Sequence, residues 1–144
     1  TIRIQIMGKK SALSIEDDIY NTLVDVLPGI IKGTLYKKGT RPLDSSSEDA
    51  VIAISGGDSE QIQTIRAHIN IYVPDINNGT GNLVEDKTRL KELADHDETI
   101  VEALNDALFE EYSFRLYKLT DSFAEPDMKQ HFVNVNLEIE RITF

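Results

Sequence analysis

The sequence predicts an α+β fold: one mainly antiparallel sheet of four or five strands, with two helices packed on one of its faces. Three observations predict it. In residues 61–73, Ile65, Ala67, Ile69, Ile71 and Val73 alternate with Thr64, Arg66, His68, Asn70 and Tyr72. Side chains alternate faces along a strand, so this is a long strand with one dry face and one wet face. Near the C-terminus, Val133, Val135, Leu137 and Ile139 alternate with Asn134, Asn136, Glu138 and Glu140 in the same way. Two other stretches repeat apolar residues every three or four positions, the spacing of an amphipathic helix.

The first helix is expected over residues 15–27, from Ile15, Ile19, Leu23, Val24 and Leu27. Ser14 is its expected N-cap, with Glu16, Asp17 and Asp18 in the first turn, where the helix dipole favours acids. Pro28 and Gly29 punctuate its end, and Ile30 and Ile31 belong either to a final turn or to a strand start. Thr34, Leu35 and Tyr36 have the form of a short strand. Residues 37–49 read as an exposed, mobile, turn-rich loop with a basic first half. The apolar run 50–54 is a strand buried on both sides. Residues 55–59, Ser-Gly-Gly-Asp-Ser, form a hairpin turn that leads into the long strand.

Asn77 to Gly81 is a loop. Leu83, Leu90, Leu93, Ala94, Val101, Leu104 and Leu108 then define one helix over residues 85–108. Asp95, His96, Asp97 and Glu98 interrupt the pattern, but Leu93, Ala94, Ile100 and Val101 stay in register across them. Residues 113–119 are a strand, 121–129 a loop, and the final alternating strand follows. Ile69, Ile71, Leu104 and Leu137 are expected in the core. A further strand is possible at the N-terminus, in the alternating residues 1–7.

At 144 residues the chain has the size of one domain, spanning 1–144. Such a domain buries roughly 70% of its unfolded surface, enough for a core without staples. There are no cysteines, so disulfides, a thiol nucleophile and Cys-based zinc sites are excluded. No apolar run approaches the roughly 20 residues of a membrane-spanning helix. The start of the chain lacks the form of a signal peptide, and beginning at Thr1 reads as processing or trimming. Net charge is −10 and unevenly spread: residues 1–43 sum to +3, and residues 85–111 to −7. Such an acidic balance argues against ordinary nucleic-acid binding, which needs Lys and Arg to release phosphate counterions.

Candidate chemistry is sparse. Gly79-Thr80-Gly81 precedes a helix but lacks the third glycine of a dinucleotide fingerprint and the Gly-Lys-Ser/Thr of a phosphate loop, so it reads as a flexible loop. The consecutive run 95–98 cannot converge on one metal, because neighbouring helical positions point about 100° apart. It reads as a solvated face. His68 and His131 are possible sheet neighbours without a nucleophile. Asp75, after Pro74, is placed to accept backbone hydrogen bonds in a turn. No serine sits in a nucleophile elbow. The reading is therefore a non-enzyme with no cofactor and no metal.

The order of elements and three stretches carry a resemblance. They are the strand and turn 51–57, the strand end and turn 69–76 with its Gly loop, and the helix start 86–93. Together they resemble the bacteriophage tail-completion or tail-terminator family, small α+β virion proteins that also occur in prophage remnants. The resemblance runs from the first helix to the last strand. Residues 37–49 and 122–130 are longer than in the simplest pattern. The resemblance implies a structural subunit of the virion, at the tail or head–tail junction, made in the bacterial cytoplasm. Such proteins form homo-oligomeric rings, commonly hexamers, that cap the tail tube, join it to the head connector and let DNA pass. An acidic lumen would repel phosphates rather than hold them.

Two function classes lead, ahead of a third, a hydrolase using scattered acids and His68 or His131. The first is the ring subunit, with self-assembly contacts expected at Lys37, Lys38, Arg41, Arg66, Tyr72, Asp95, Asp97 and Glu98. In it the basic loop of one copy reaches the acidic helix segment of the next. The second is a small intracellular ligand- or protein-binding module without catalysis, which requires an apolar concavity carrying a few polar groups.

Overall fold

The computed structural model describes residues 8–142, apart from the side chain of Pro126. The possible N-terminal strand therefore lies outside the described residues. In chain order the elements are α1 (Ala12–Leu23), β1 (Leu35–Lys37), β2 (Ala50–Gly57), β3 (Ile62–Pro74), β4 (Ile76–Asn77), β5 (Leu83–Val84), α2 (Lys87–Ala94), α3 (Asp97–Leu108), β6 (Tyr112–Leu116), β7 (Asp121–Glu125) and β8 (Gln130–Ile142). The class is α+β, as the alternation predicts. A mainly antiparallel sheet of six strands runs β1-β2-β3-β8-β6, with β7 also paired to β8, and β4 and β5 form a small separate ribbon.

The sheet is built on β3 and β8, which pair antiparallel along their whole length, from Ile62 opposite Ile142 to Pro74 opposite Gln130. Both strands alternate with the same period, so one register puts both apolar rows on one face. Ile65, Ala67, Ile69, Ile71, Val73, Val133, Val135, Leu137 and Ile139 are all buried there. α1 contributes Ile15, Ile19 and Leu23 to this core, α2 Leu90 and Leu93, and α3 Ile100, Val101 and Leu104. The core residues expected from the sequence, Ile69, Ile71, Leu104 and Leu137, are fully buried.

Several boundaries differ from expectation. α1 begins one turn early: Ser11, not Ser14, is the N-cap, and its hydroxyl accepts the Ser14 N–H at 3.2 Å. It ends at Leu23, and residues 27–29 form a separate 3-10 turn that buries Leu27. Ile31 belongs to that turn, its N–H donating to the Leu27 carbonyl. The single helix expected over 85–108 is two. Asp95 caps the end of α2 and His96 starts α3, while both segments keep their apolar stripes toward the sheet. Glu85 precedes α2, whose N-cap is Asp86, accepting the Arg89 N–H. β2 runs on to Gly57 through a bulge between Ile54 and Gly56, so the hairpin turn falls later than expected. Part of the loop expected at 121–129 is strand β7. It takes the stretch of β8 that β6 leaves free, residues 130–134 against 137–141 for β6.

The segment 37–49 is not a free loop. Its end is buried, at Glu48 and Asp49. Arg89 of α2 holds Glu48 with two hydrogen bonds and also donates to the Ile30 carbonyl at 2.9 Å. Asp49 accepts from the Thr34 N–H at 2.8 Å, the Ser45 hydroxyl at 2.6 Å and Arg41 at 3.1 Å. Gly33 is required beside this clip, because a Cβ there would collide with Asp49 Oδ1 and the Glu48 carbonyl. The two buried carboxylates thus tie β1, the loop and α2 together.

Candidate interaction face

All three helices pack on one face of the sheet, and the opposite face has no covering layer among the described residues. An antiparallel sheet tolerates this when its outward residues are polar. Here they are aromatic and amide as much as charged. Tyr72 of β3, Phe132 of β8 and Phe123 of β7 form a tilted row, with ring centroids 5.4 and 5.8 Å apart. Phe123 is half exposed, and Leu119, in the connection before β7, is almost fully exposed. Beside them Asn134 donates to Asn70 at 2.7 Å, and Asn136 donates to Asn134. At the far end Arg66 and Arg115 both engage Glu138, and Arg66 lies over the Tyr117 ring at 4.5 Å. The Arg115 hydrogen bond is the largest cause holding the Glu138 carboxyl below the ordinary range.

At the β2 end of this face, residues 38–43 stand off the sheet as a flap over a cavity of about 610 Å³. Val51 and Ala53 line it from β2, and His68, Asn70 and Tyr72 from β3. The flap is pinned by Arg41. Its guanidinium lies 4.1 Å from the Tyr72 ring centroid and donates to Asp49, to the Ser45 and Ser47 carbonyls and to Gln130. Lys38 is exposed at the mouth, and its side chain makes no hydrogen bond or ion pair among the described residues. Burial first, and then the Lys38 charge, pushes the His68 imidazole below its ordinary pKa.

The eight expected contact residues do not form one site. Lys38, Arg41, Arg66 and Tyr72 are on the open side of the sheet. Lys37 is on the helical side, paired with Asp17 of α1 and 5.0 Å from the Tyr20 ring. Asp95, Asp97 and Glu98 cluster at the α2–α3 joint, on the helical side as well. Asp95 pairs with Lys91 at 2.8 Å, Asp97 accepts from Thr120 at 2.7 Å, and Glu98 is exposed. The basic set on the flap and the acidic set at the helix joint thus occupy opposite faces of one subunit.

The histidines are not neighbours. His68 stands opposite Asn136 and His131 opposite Val73. His131 instead bridges two carboxylates, Nδ1 to Asp75 at 2.7 Å and Nε2 to Glu85 at 3.5 Å. Asp75 therefore serves His131 rather than the expected turn amides, and the imidazole ties β8 to the β4–β5 ribbon. Gly79 and Gly81 lie in a tight loop whose N–H groups donate to the Asn77 side chain, leaving no phosphate cradle there. Among the described residues no group of three or more His, Asp or Glu is placed to hold a metal ion, and no helix is long and apolar enough to cross a membrane.

Sequence reasoning missed the Glu48–Asp49 clip and the flap cavity. An acidic pair at the end of a Ser-rich run was the available signal, but its partner Arg89 lies 41 residues away. No protein-family model matches the sequence, and no curated protein matches it.

Proposed function

We propose that the chain is a structural subunit of a phage or prophage virion, a tail-terminator or head–tail joining protein that works as a homo-oligomeric ring. The observation that carries the reading is the uncovered sheet face with its Tyr72–Phe132–Phe123 row. Aromatic side chains are enriched at protein interfaces, and this face carries an aromatic row at the Pro74–Gln130 end of the β3–β8 pairing. The polarity of the subunit supports it. Lys38 on the flap and the acidic joint lie on opposite sides of the sheet, so a contact between them joins copies rather than parts of one. A head-to-tail contact of that kind closes into a ring when its rotation allows. The resemblance of residues 51–57, 69–76 and 86–93 to tail-terminator proteins points the same way. Asp49, Glu111 and Glu138, whose carboxyls lie below their ordinary range, are each held in an ion pair, as structural carboxylates are.

In this reading the partners are other copies of the chain, the tail tube and the head connector. The acidic helical layer, where residues 85–111 sum to −7, repels passing DNA if it lines the lumen. The test is light scattering across concentration and salt, with electron microscopy of the protein mixed with tail tubes. Rings seated on tube ends are expected. A persistent monomer that ignores tubes would overturn the reading. The flap cavity favours a second reading, a ligand-binding module without catalysis, since its volume falls within the roughly 300–1,000 Å³ of small-molecule pockets.

A further inference from the structure

We propose that the flap cavity binds a carboxylate carried on a compact apolar or aromatic body. The inference rests on the ligand-binding reading of that cavity and is independent of ring formation.

A single lining cation without an ion-pair partner among the described residues points to a ligand with no more than one negative charge. Two cations line the cavity, and Arg41 is already committed to Asp49. That leaves Lys38 as the cation without an ion pair, and Glu125 as the carboxylate among the lining residues. Glu125 on the rim opposes any ligand with a second negative charge. A phosphate group prefers several free cations, and here Arg41 is held by Asp49, leaving Lys38 alone.

The neutral donors fit the same ligand. His68 is held in its neutral form by burial and by Lys38, and a neutral imidazole has one N–H to give. The Asn70 side-chain oxygen is occupied by Asn134, so its NH₂ group remains to donate. An ammonium, an imidazole N–H and an amide NH₂ are complementary to the two oxygens of one carboxylate. Val51, Ala53, Leu43 and Met128 give the wall an apolar part, with Ser55 beside them. Leu43 is 93% exposed at the flap tip, and an apolar ligand body would cover it.

A carboxylate of this kind comes either from a free small acid or from the end of a peptide chain. The test is an NMR titration of the full chain with benzoate and hexanoate, each against its neutral amide. A third pair is a short peptide ending in a free aromatic carboxylate and the same peptide with an amidated end. The acids are expected to shift the His68 ring and the amides of residues 38–43 saturably. The neutral amides should bind at least about fivefold more weakly, as loss of a charge-assisted hydrogen bond predicts. Lys38→Met should weaken acid binding by a similar factor and leave amide binding unchanged. Lys38 is exposed, so that variant keeps the fold. Binding of small acids alone assigns the free acid as source, and tighter binding of the peptide acid assigns a chain end. Equal binding of acids and neutral amides overturns the carboxylate inference and leaves the cavity reading intact. No saturable shift with any probe overturns both.

Discussion

Arg41 lies over the ring of Tyr72, 4.1 Å from its centroid, and in that position its guanidinium also reaches the buried Asp49 carboxylate at 3.1 Å. One side chain thus holds the flap to the sheet face and neutralises a charge in the interior. Planar stacking combined with a fork of donors is arginine chemistry, which lysine does not reproduce.

Arg41→Ala should therefore cost about 3 kcal/mol, because it leaves the Asp49 carboxylate buried and unpaired. Arg41→Lys should recover less than half. Urea denaturation measures both, and hydrogen exchange of residues 38–47 reports release of the flap. An unchanged midpoint together with unchanged protection would show that the clip contributes nothing.

Stability should fall in two steps as the solution is acidified. His68 has a folded pKa below its ordinary 6.5, chiefly through burial. In the window between the two values the unfolded chain binds more protons, so stability drops as pH falls below about 6.5. His68→Gln should abolish that step. The second step belongs to Asp49 and Glu111. Burial alone would raise both, but Ser45, Thr34 and Arg41 outweigh it at Asp49, and Lys10 and Arg141 outweigh it at Glu111. Their folded pKa values lie below the ordinary 3.8 and 4.5. Their stabilisation is complete above those ordinary values and lost as pH falls through the folded ones. Asp49→Asn should flatten this lower step. A stability profile level from pH 7 to 3 would contradict both assignments.

The strand faces were legible because β3 and β8 alternate without a break, and one register satisfies both. Ser11 and Ser14 are equally good caps by type, so residue type alone does not place the start of α1 at Ser11. The α2–α3 break was hidden because its two apolar stripes stay in phase across Asp95 and His96. β7 was missed because Asp121, Ser122 and Glu125 have loop chemistry, and the segment is a strand only because β8 leaves an edge to pair with. The long β3–β8 pairing joins residues 56 or more positions apart, which no local pattern shows. The same holds for Glu48 and Asp49. A carboxylate reads as exposed unless its partner is known, and Arg89 is remote in sequence. The open face was legible as polar rows, but the cavity was not, because it depends on how Arg41 folds the flap down.

Asn105 guards one sheet edge. Its side-chain amide accepts the Phe114 N–H at 2.8 Å and donates to the Phe114 carbonyl at 2.9 Å, standing in for a neighbouring strand on β6. Asn105→Ala should cost about 1–2 kcal/mol, and it should raise disordered aggregation by opening that edge. Thermal denaturation and turbidity measure the two effects. A variant as stable and as clear in solution as the parent would show that the amide does not protect the edge.

The core register has a direct test in Ile71, which is fully buried and opposite Val133. Ile71→Ala should cost roughly 2–5 kcal/mol through lost transfer energy and the cavity left behind. Tyr72→Ala, on the open face next to it, removes aromatic contacts but leaves no core cavity, and should cost less. The reverse order, measured by chemical denaturation, would mean that β3 presents the opposite face to the helices.

The central claim is that the open sheet face is where copies of the chain meet. It is tested most directly by sedimentation velocity of the parent and of Phe123→Glu, over a range of concentration at low and physiological salt. Phe123 is exposed and belongs to the aromatic row, so the variant should keep its fold. Surface charge attraction is screened over about 8 Å at physiological salt, so assembly should be stronger at low salt. The account predicts a discrete ring species that grows with concentration in the parent and is absent in Phe123→Glu. A parent that stays monomeric at every concentration and fails to bind tail tubes would contradict it, as would rings that survive Phe123→Glu unchanged.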